Sequence, residues 1–352
     1  MALSVSTRTL YVSLCLMCLI MFADIIDILT TNPSIQFAEE QFFSPNSSVI
    51  NKIVTFRRNN IHTNMVPEVN FWNKTYIMKC ERKCGENINL RENQVLVMFM
   101  IKSAINNFEK RDALRRTWAE EKQIDNFILK RTFILGACDY SNVIECRRKL
   151  DTESDLNNDL IEVDFKDAYY NNTLKTMHAF KWIITYCPQA SFVLFVDDDY
   201  YVSPANLIRF LKQILYLNKS KDQIKLYAGF VQRNVSPIRD RTSKWYVSWQ
   251  DYPYSVYPPF INAGAYLISQ SALLDMYYAS LYVKRFLFDD VYVSFLASKV
   301  SIEATHNDNF HRLSMPANYS SVIASHGIQK FDCKRIKSKL MRMSRALRLI
   351  TD

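Results

Sequence analysis

Short apolar runs alternate with amphipathic segments along most of the chain. Five runs have the length and the β-branched and aromatic content of buried strands, at residues 94–101, 131–137, 160–165, 191–196 and 225–231. Between them, apolar side chains recur at a helical period over residues 108–121, 172–186 and 204–217. This alternation predicts an α/β fold in which helices pack on a mostly parallel central sheet.

The apolar run at the N-terminus predicts a membrane anchor. Residues 10–23 are almost all apolar and follow the basic Arg8. A cleaved signal peptide is the alternative, but Met-Phe-Ala at 21–23 is a poor small-x-small cleavage site. We therefore expect a cytoplasmic tail over 1–8, a signal-anchor segment over 9–29 and a type II orientation. The short apolar core favours a thin membrane of the secretory pathway, and we expect the Golgi apparatus.

The rest of the chain has the features of a lumenal protein. Residues 30–90 are rich in Asn, Ser and Thr without a sustained period, which predicts a stem before a catalytic domain over 91–330. Glycosylation sequons occur at Asn46, Asn73, Asn171, Asn218, Asn234 and Asn318. Six cysteines lie beyond the anchor, at Cys80, Cys84, Cys138, Cys146, Cys187 and Cys333. In an oxidising compartment they predict up to three disulfides of open connectivity, with a zinc site at the first two as the weaker alternative.

Composition and charge exclude two classes of protein. A hydrophobic content of 49% over 352 residues is too high for a mostly disordered chain. The net charge of +9 points to nucleic acid, but seven basic residues and no acidic ones lie between 334 and 350. Without them 37 Lys and Arg stand against 35 Asp and Glu, so the excess belongs to the tail over 331–352. Apolar residues there recur at 4-3-4-3 spacing, which predicts a basic amphipathic helix that docks on the body or lies on the membrane.

The scarcity of glycine limits how this chain can bind a phosphate. It has only five glycines, none close enough to another for a dinucleotide-binding or P-loop motif. However, Asp197, Asp198 and Asp199 directly follow a buried-strand run. Because ligands usually bind at the carboxyl ends of strands in such sheets, three adjacent carboxylates there indicate a divalent cation, Mg²⁺ or Mn²⁺. A solvated acidic turn is the alternative.

Several segments carry a family resemblance when read in order. They are 111–118 (RDALRRTW), 133–136 (FILG), 164–176 (DFKDAYYNNTLKT), 181–182 (KW), 195–202 (FVDDDYYV) and 288–292 (FDDVY). Together they resemble the β-1,3-glycosyltransferase family of galactosyl- and N-acetylglucosaminyltransferases, over residues 95–326. The resemblance implies a GT-A type domain, a UDP-sugar donor held through a metal ion, and a lumenal active site.

Finer matches indicate a subgroup of this family. The segments 243–248, 258–265, 275–280 and 319–326 are similar to Brainiac-like β-1,3-N-acetylglucosaminyltransferases. This implies transfer of GlcNAc to a mannosyl-glucosyl-ceramide glycolipid. A β-1,3-galactosyltransferase acting on a glycolipid or glycoprotein glycan is the alternative, and a non-catalytic lumenal lectin or scaffold that binds metal is the second.

The resemblance also implies catalytic roles. Forming a β linkage from an α-linked UDP-sugar inverts the anomeric carbon, which requires a base for the acceptor hydroxyl. The family motif places that base at Asp289 or Asp290, and we expect Asp290. A charged Asp289 beside it would raise its proton affinity. The alternative is that these carboxylates cap the helix that follows.

Metal and donor ligands follow from the same resemblance. Asp197, Asp199 and His326 are the expected ligands of Mn²⁺ or Mg²⁺. We expect the donor to be contacted by Asp197, Asp198, Arg111, Arg115 and Lys175, although the two arginines could equally lie on a solvated helix face. An aromatic cluster could form the floor of a sugar site, or at least half of it could belong to the core: Trp245, Tyr246, Trp249, Tyr252, Tyr254 and Tyr257.

Overall fold

The structure is a computed structural model that describes residues 45–85, 90–91, 93–138, 143–218, 220–314 and 320–327. The predicted anchor over 9–29, the basic tail over 331–352 and the sequon at Asn318 lie outside these residues. In the part described, no helix is both long enough and apolar enough to cross a membrane.

Helices and strands alternate through the described chain, as the apolar pattern predicts. The helices are α1 (Ser47–Arg58), α2 (Phe108–Arg115), α3 (Val143–Asn157), α4 (Asn172–Tyr186), α5 (Pro204–Leu217), α6 (Gln270–Ser280) and α7 (Asp289–Lys299). The strands are β1 (Tyr76–Met78), β2 (Val95–Lys102), β3 (Lys122–Ile124), β4 (Phe127–Ala137), β5 (Leu160–Lys166), β6 (Phe192–Asp197), β7 (Tyr200–Val202), β8 (Tyr227–Gln232), β9 (Phe260–Ser269), β10 (Thr305–His306), β11 (Phe310–Ser314) and β12 (Ala324–His326).

A nine-stranded sheet forms the centre of the fold. Its strand order is β1-β5-β4-β2-β6-β9-β8-β10, with β3 beside β4. The four neighbours β5, β4, β2 and β6 are parallel, but β9 is antiparallel to both β6 and β8. The sheet is therefore mixed, which corrects the expectation of a mostly parallel one. Strands β8 and β9 are joined by a long loop without a helix, and antiparallel neighbours need no helical crossover.

Strand register brings the polar strand ends together. All residues of β2 are buried, and so are the apolar residues of β6, as expected for strands covered on both faces. In the β2–β6 ladder, Lys102 pairs with Asp197. A second sheet of β11, β12 and β7 pairs His326 with Tyr200. The register thus places both halves of the predicted metal site at the same edge.

Part of the predicted stem is folded onto the body. Helix α1 buries Ile50, Ile53 and Val54, and Arg58 forms an ion pair with Asp275 of α6. Strand β1 joins the edge of the central sheet beside β5. Residues 47–58 and 76–78 of the predicted stem therefore belong to the folded body.

Two disulfides are present in the described residues. Cys84 is bonded to Cys187, which ties the turn before β2 to the end of α4. Cys138 is bonded to Cys146, which links the end of β4 to α3. Among the described residues, Cys80 has no disulfide partner. Because Cys84 is in a disulfide, it is not available as a zinc ligand.

Candidate active site

A cleft of about 280 Å³ collects most of the predicted catalytic and metal-binding residues. Asp197, Asp199, Asp289, Asp290 and His326 all line it. They come from the end of β6, the turn after it, the first turn of α7 and β12. The cleft lies where ligands are expected in an α/β sheet, beyond the carboxyl ends of the parallel strands.

A buried lysine connects the two acidic groups of this cleft. Lys102 ends β2 and is 6% exposed, and its Nζ lies 3.1 Å from Oδ1 of Asp197 and 3.0 Å from Oδ2 of Asp289. Burial by itself lowers the pKa of Lys102, but the two carboxylates outweigh it and raise the pKa above its usual value. Lys102 is therefore a fixed positive charge in the cleft. Sequence reasoning missed it, although a lysine at the end of a fully apolar strand was an available signal.

The two aspartates of α7 have different surroundings. Oδ2 of Asp289 accepts hydrogen bonds from Lys102 and from Oγ1 of Thr176, at 3.0 and 2.8 Å. Oδ1 of Asp290 accepts from the backbone N–H of Val291 at 2.9 Å. Burial and the neighbouring charge of Asp289 raise the pKa of Asp290 to about 7. A carboxylate with that proton affinity is suited to act as a general base near neutral pH.

The helix-capping alternative accounts for only part of this arrangement. Phe288 occupies the N-cap position, and Asp289 and Asp290 lie in the first turn of α7. Carboxylates there are favoured by the helix dipole. That stabilisation does not require a second, adjacent carboxylate, so a structural role leaves Asp290 unexplained.

An aspartate–histidine pair lies in the same cleft. Nε2 of His326 is 3.3 Å from Oδ2 of Asp199, and the ring of His326 packs against Tyr200 at 5.2 Å. Oδ1 of Asp199 is buried and has no hydrogen-bond partner within the described part of the chain. A buried polar atom without a partner destabilises the folded state by about 1–3 kcal/mol unless a ligand binds to it. Burial raises the pKa of Asp197 to about 7, against the opposing charge of Lys102.

These residues fit a divalent cation that takes further ligands from a bound molecule. Within the described residues, no three His, Cys, Asp or Glu side chains converge closely enough to bind a metal by themselves. The unsatisfied oxygen of Asp199, the imidazole of His326 and the carboxylate of Asp197 offer the donor types that Mn²⁺ and Mg²⁺ accept.

Asp198 is directed away from the cleft. Its Oδ2 accepts from Oγ of Ser103 and Nδ2 of Asn107, both at 2.7 Å, and its Oδ1 pairs with Lys110 at 3.1 Å. With 7% of the residue exposed, this carboxylate is satisfied by protein. These contacts hold the end of β6 against the loop after β2 and thereby position Asp197 and Asp199.

The structure does not bring the predicted donor-binding arginines into the cleft. Arg111 is fully buried and donates to both carboxylate oxygens of Glu153, at 2.8 and 2.6 Å. Arg115 pairs with Glu153 and with Asp159, both at 2.7 Å. Their guanidinium groups are thus committed to buried carboxylates, and neither lies on the solvated helix face considered as an alternative.

Lys175 has a similar structural position. Its Nζ lies 2.6 Å from Oδ1 of Asp167 and donates to the carbonyl of Ser103 at 2.9 Å. Oδ2 of Asp167 accepts from the N–H of Ile105 at 2.8 Å. Together with Arg111, which donates to the carbonyl of Ala104 at 2.8 Å, Lys175 holds the loop after β2 against the cleft.

A glycine shapes the floor of the cleft. A Cβ on Gly264 would lie 2.0 Å from the hydroxyl oxygen of Tyr200, so only glycine allows this tyrosine to lie against β9. Both residues line the cleft. Of the six residues in the predicted aromatic cluster, only Tyr252 and Tyr257 are buried in the core, fewer than the expected half, and Trp245 lines the cleft.

Comparison with known proteins places these features in a family. The model of the galactosyltransferase family, described as Galactosyltransferase, matches residues 109–308, which is more than half of the chain. The Drosophila melanogaster protein beta-1,3-galactosyltransferase brn is 42% identical over 231 residues, covering 64% of this chain and 68% of that protein. The Homo sapiens lactosylceramide 1,3-N-acetyl-beta-D-glucosaminyltransferase is 33% identical over 260 residues, covering 72% of this chain and 66% of that protein.

Similarity to solved structures is much weaker. The galactosyltransferase LgtC, in complex with donor and acceptor sugar analogues, aligns at 12% identity and a TM-score of 0.34, covering 71% of this chain and 96% of that one. That score is too low to support a conclusion about fold or function.

Proposed function

This chain belongs to the galactosyltransferase family and is a β-1,3-glycosyltransferase; from that premise we propose that it transfers GlcNAc from UDP-GlcNAc to a mannosyl-glucosyl-ceramide glycolipid. The observation that carries an inverting transfer is that Asp290 and the Asp199–His326 pair line one cleft, while the choice of GlcNAc and of the mannosyl acceptor rests on the sequence resemblance. Asp290 supplies a carboxylate of raised proton affinity, and the pair leaves a buried carboxylate oxygen without a hydrogen-bond partner in the described chain. A base and a site for an anionic leaving group are the two requirements of an inverting transfer.

Asp290 is the proposed base. As the acceptor oxygen attacks the anomeric carbon, Asp290 takes the proton from that hydroxyl and the bond to the diphosphate breaks. Asp289 does not share the role, because Lys102 and Thr176 already occupy one of its oxygens. Its charge instead keeps the proton affinity of Asp290 high. This is a single displacement, which gives a β product from an α-linked donor.

Asp199 and His326, with Asp197 beside them, are the proposed ligands of a divalent cation, Mn²⁺ or Mg²⁺. When bound, such an ion offsets the negative charge that develops on the leaving diphosphate. Because Arg111, Arg115 and Lys175 are engaged elsewhere, and Lys102 is shared by Asp197 and Asp289, we propose that the donor depends on this ion for its positive charge.

The membrane setting is proposed from the sequence. An anchor over 9–29 would hold the chain in the Golgi membrane with its catalytic body in the lumen. The disulfides Cys84–Cys187 and Cys138–Cys146 are consistent with that oxidising compartment. A membrane-held enzyme suits an acceptor that is itself held in the membrane by a lipid.

Donor and acceptor are tested together. Purified protein is assayed with UDP-GlcNAc, UDP-Gal and UDP-GalNAc against mannosyl-glucosyl-ceramide and lactosylceramide, with Mn²⁺ and with chelator. We expect transfer of GlcNAc to the mannosyl acceptor only with the metal, and loss of metal-dependent turnover in Asp199→Ala.

Other outcomes identify the alternatives. Transfer of galactose alone would establish the galactosyltransferase, which the name of the Drosophila relative favours. Glycan binding without turnover of any UDP-sugar would identify a lectin and refute the proposal.

A further inference from the structure

We infer that Trp245 and Tyr169 form a preformed aromatic platform on which the terminal pyranose of the acceptor stacks. The inference rests on the proposed transferase function and deepens it, because it assigns recognition to the sugar ring of the glycolipid. The platform would determine which acceptor reaches Asp290.

The two aromatic residues come from distant parts of the chain and meet in the cleft. Tyr169 begins the 3₁₀ turn before α4, and Trp245 lies in the long loop between β8 and β9. Both line the cleft, and Nε1–H of Trp245 donates to the hydroxyl of Tyr169 at 2.9 Å. The contact closes one side of the cleft with two rings.

Both rings are largely exposed, although the indole N–H of Trp245 and the hydroxyl of Tyr169 are already hydrogen-bonded to each other. Trp245 is 48% exposed and Tyr169 is 46% exposed. Exposed apolar rings whose polar atoms already have partners gain most from a ligand with an apolar face. The C–H face of a pyranose is such a surface, and its hydroxyl groups remain free for the polar side chains of the cleft.

The platform is held in place without a ligand. Nζ of Lys244 lies 4.5 Å from the ring centroid of Trp245 and 5.3 Å from that of Tyr169. The hydroxyl of Tyr170 donates to the carbonyl of Lys244 at 3.2 Å. Both terminal nitrogens of Arg239 donate to backbone carbonyls of the loop between β8 and β9, which carries Trp245, at 2.8–2.9 Å. A preformed site loses less entropy when a sugar binds.

The position of Tyr169 assigns the platform to the acceptor. Tyr169 lines the same cleft as Asp290, and Oγ1 of Thr173, one turn further along the chain, donates to the carbonyls of Phe286 and Leu287 at 2.9 and 3.1 Å. The start of α4, with Tyr169 before it, is therefore held beside the first turn of α7, which carries Asp290. A base must reach the hydroxyl that attacks, so the rings beside it face the acceptor. Stacking of the uracil ring of the donor on Trp245 is the competing assignment.

The test separates acceptor recognition from donor recognition. Transfer kinetics are measured with a soluble mannosyl-glucose disaccharide for the wild type, Trp245→Ala, Trp245→Phe and Tyr169→Phe. For Trp245→Ala we expect the KM for disaccharide to rise about tenfold, the size of one lost aromatic contact. The KM for UDP-GlcNAc should change by a smaller factor than the KM for disaccharide. Trp245→Phe, which keeps a ring, should lose less.

A matched control uses an aromatic residue outside the cleft. Tyr216 on α5 is 90% exposed, and Tyr216→Ala should change neither KM. Unchanged disaccharide KM in Trp245→Ala would overturn the platform, and so would a rise confined to the KM for UDP-GlcNAc.

Direct binding distinguishes this inference from the proposed function. Saturation-transfer NMR of the disaccharide should show contact with the wild type and its loss in Trp245→Ala. If that result is obtained but no sugar is transferred, the transferase proposal is wrong and the platform stands. Absence of disaccharide binding to the wild type would overturn the platform.

Discussion

Replacing Lys102 by methionine is the sharpest test of how the cleft is held together. The substitution keeps the length and most of the volume of the side chain but removes the charge between Asp197 and Asp289. Lys102 is 6% exposed, so water cannot take its place without a rearrangement of the strand ends. Two carboxylates would then face each other with nothing positive between them.

The structure sets the size of the effect. Nζ of Lys102 lies 3.0 and 3.1 Å from carboxylate oxygens of two different aspartates. Removing one partner of a buried ion pair typically costs about 3–5 kcal/mol of unfolding free energy. For a folded body of this size we expect Lys102→Met to lower Tm by about 6–10 °C at pH 7.5. This loss of Tm should be smaller at pH 5.5. Burial raises the pKa of Asp197 to about 7, so Asp197 is protonated at that pH and no longer pairs with a charged lysine.

The assay is thermal unfolding at both pH values, combined with the pH dependence of kcat. Because the charge of Lys102 lowers the pKa of Asp290, the acid limb of the rate profile should move to higher pH in Lys102→Met. Lys110→Met is the control, since Lys110 has one carboxylate partner at 3.1 Å and its side chain is 25% exposed. The reasoning is refuted if both variants lose the same Tm, or if the acid limb does not move.

Three further predictions concern the base, the floor of the cleft and the tail. Burial raises the pKa of Asp290 to about 7, so the folded state binds more protons than the unfolded chain between about pH 4 and 7 and loses stability as pH rises through that window. Asp290→Asn should therefore raise Tm at pH 7.5 but not at pH 4, which calorimetry checks; a fall in Tm at pH 7.5 would contradict it. Because Asp290 is the proposed base, the same variant should abolish transfer and retain UDP binding. Gly264→Ala should lower the unfolding free energy by about 1–3 kcal/mol in urea titrations, because its Cβ would meet the hydroxyl of Tyr200 at 2.0 Å. Removing residues 334–352 should reduce activity on glycolipid but not on a soluble disaccharide; equal losses in parallel assays would refute a membrane role.

Helices with a strong apolar period were predictable from the sequence. The predicted bounds of α4 and α5 are those observed, and α5 also begins with a clear signal, since Oγ of Ser203 accepts from the N–H of Asn206 and Pro204 follows it. Helix α3 was not predicted because it lies on the surface, where only Leu150 and Glu153 are buried. A helix with so little buried surface has almost no apolar pattern to detect.

Sheet direction and charge partners were not predictable in the same way. Strand β9 is as apolar as its neighbours, so its residues do not reveal that it runs antiparallel to β6. Arg111 and Lys175 could be recognised as cations within segments that resemble the family, but not as partners of Glu153 and Asp167. These pairings depend on which helices and loops become neighbours, and the apolar pattern leaves that open.

The charge of the cleft explains why donor and cation should bind together. Among the described residues that line it, four carboxylates face one lysine, so even with Asp197 and Asp290 partly protonated the cleft is negative. A nucleotide diphosphate is also negative and would be repelled at short range, since low-dielectric walls screen charge poorly. Lys102 cannot offset the diphosphate, because it is already shared by two aspartates. Because the chain has no glycine-rich phosphate loop, we expect the donor to bind together with an external cation. Oδ1 of Asp199, which has no hydrogen-bond partner among the described residues, is our proposed ligand for it.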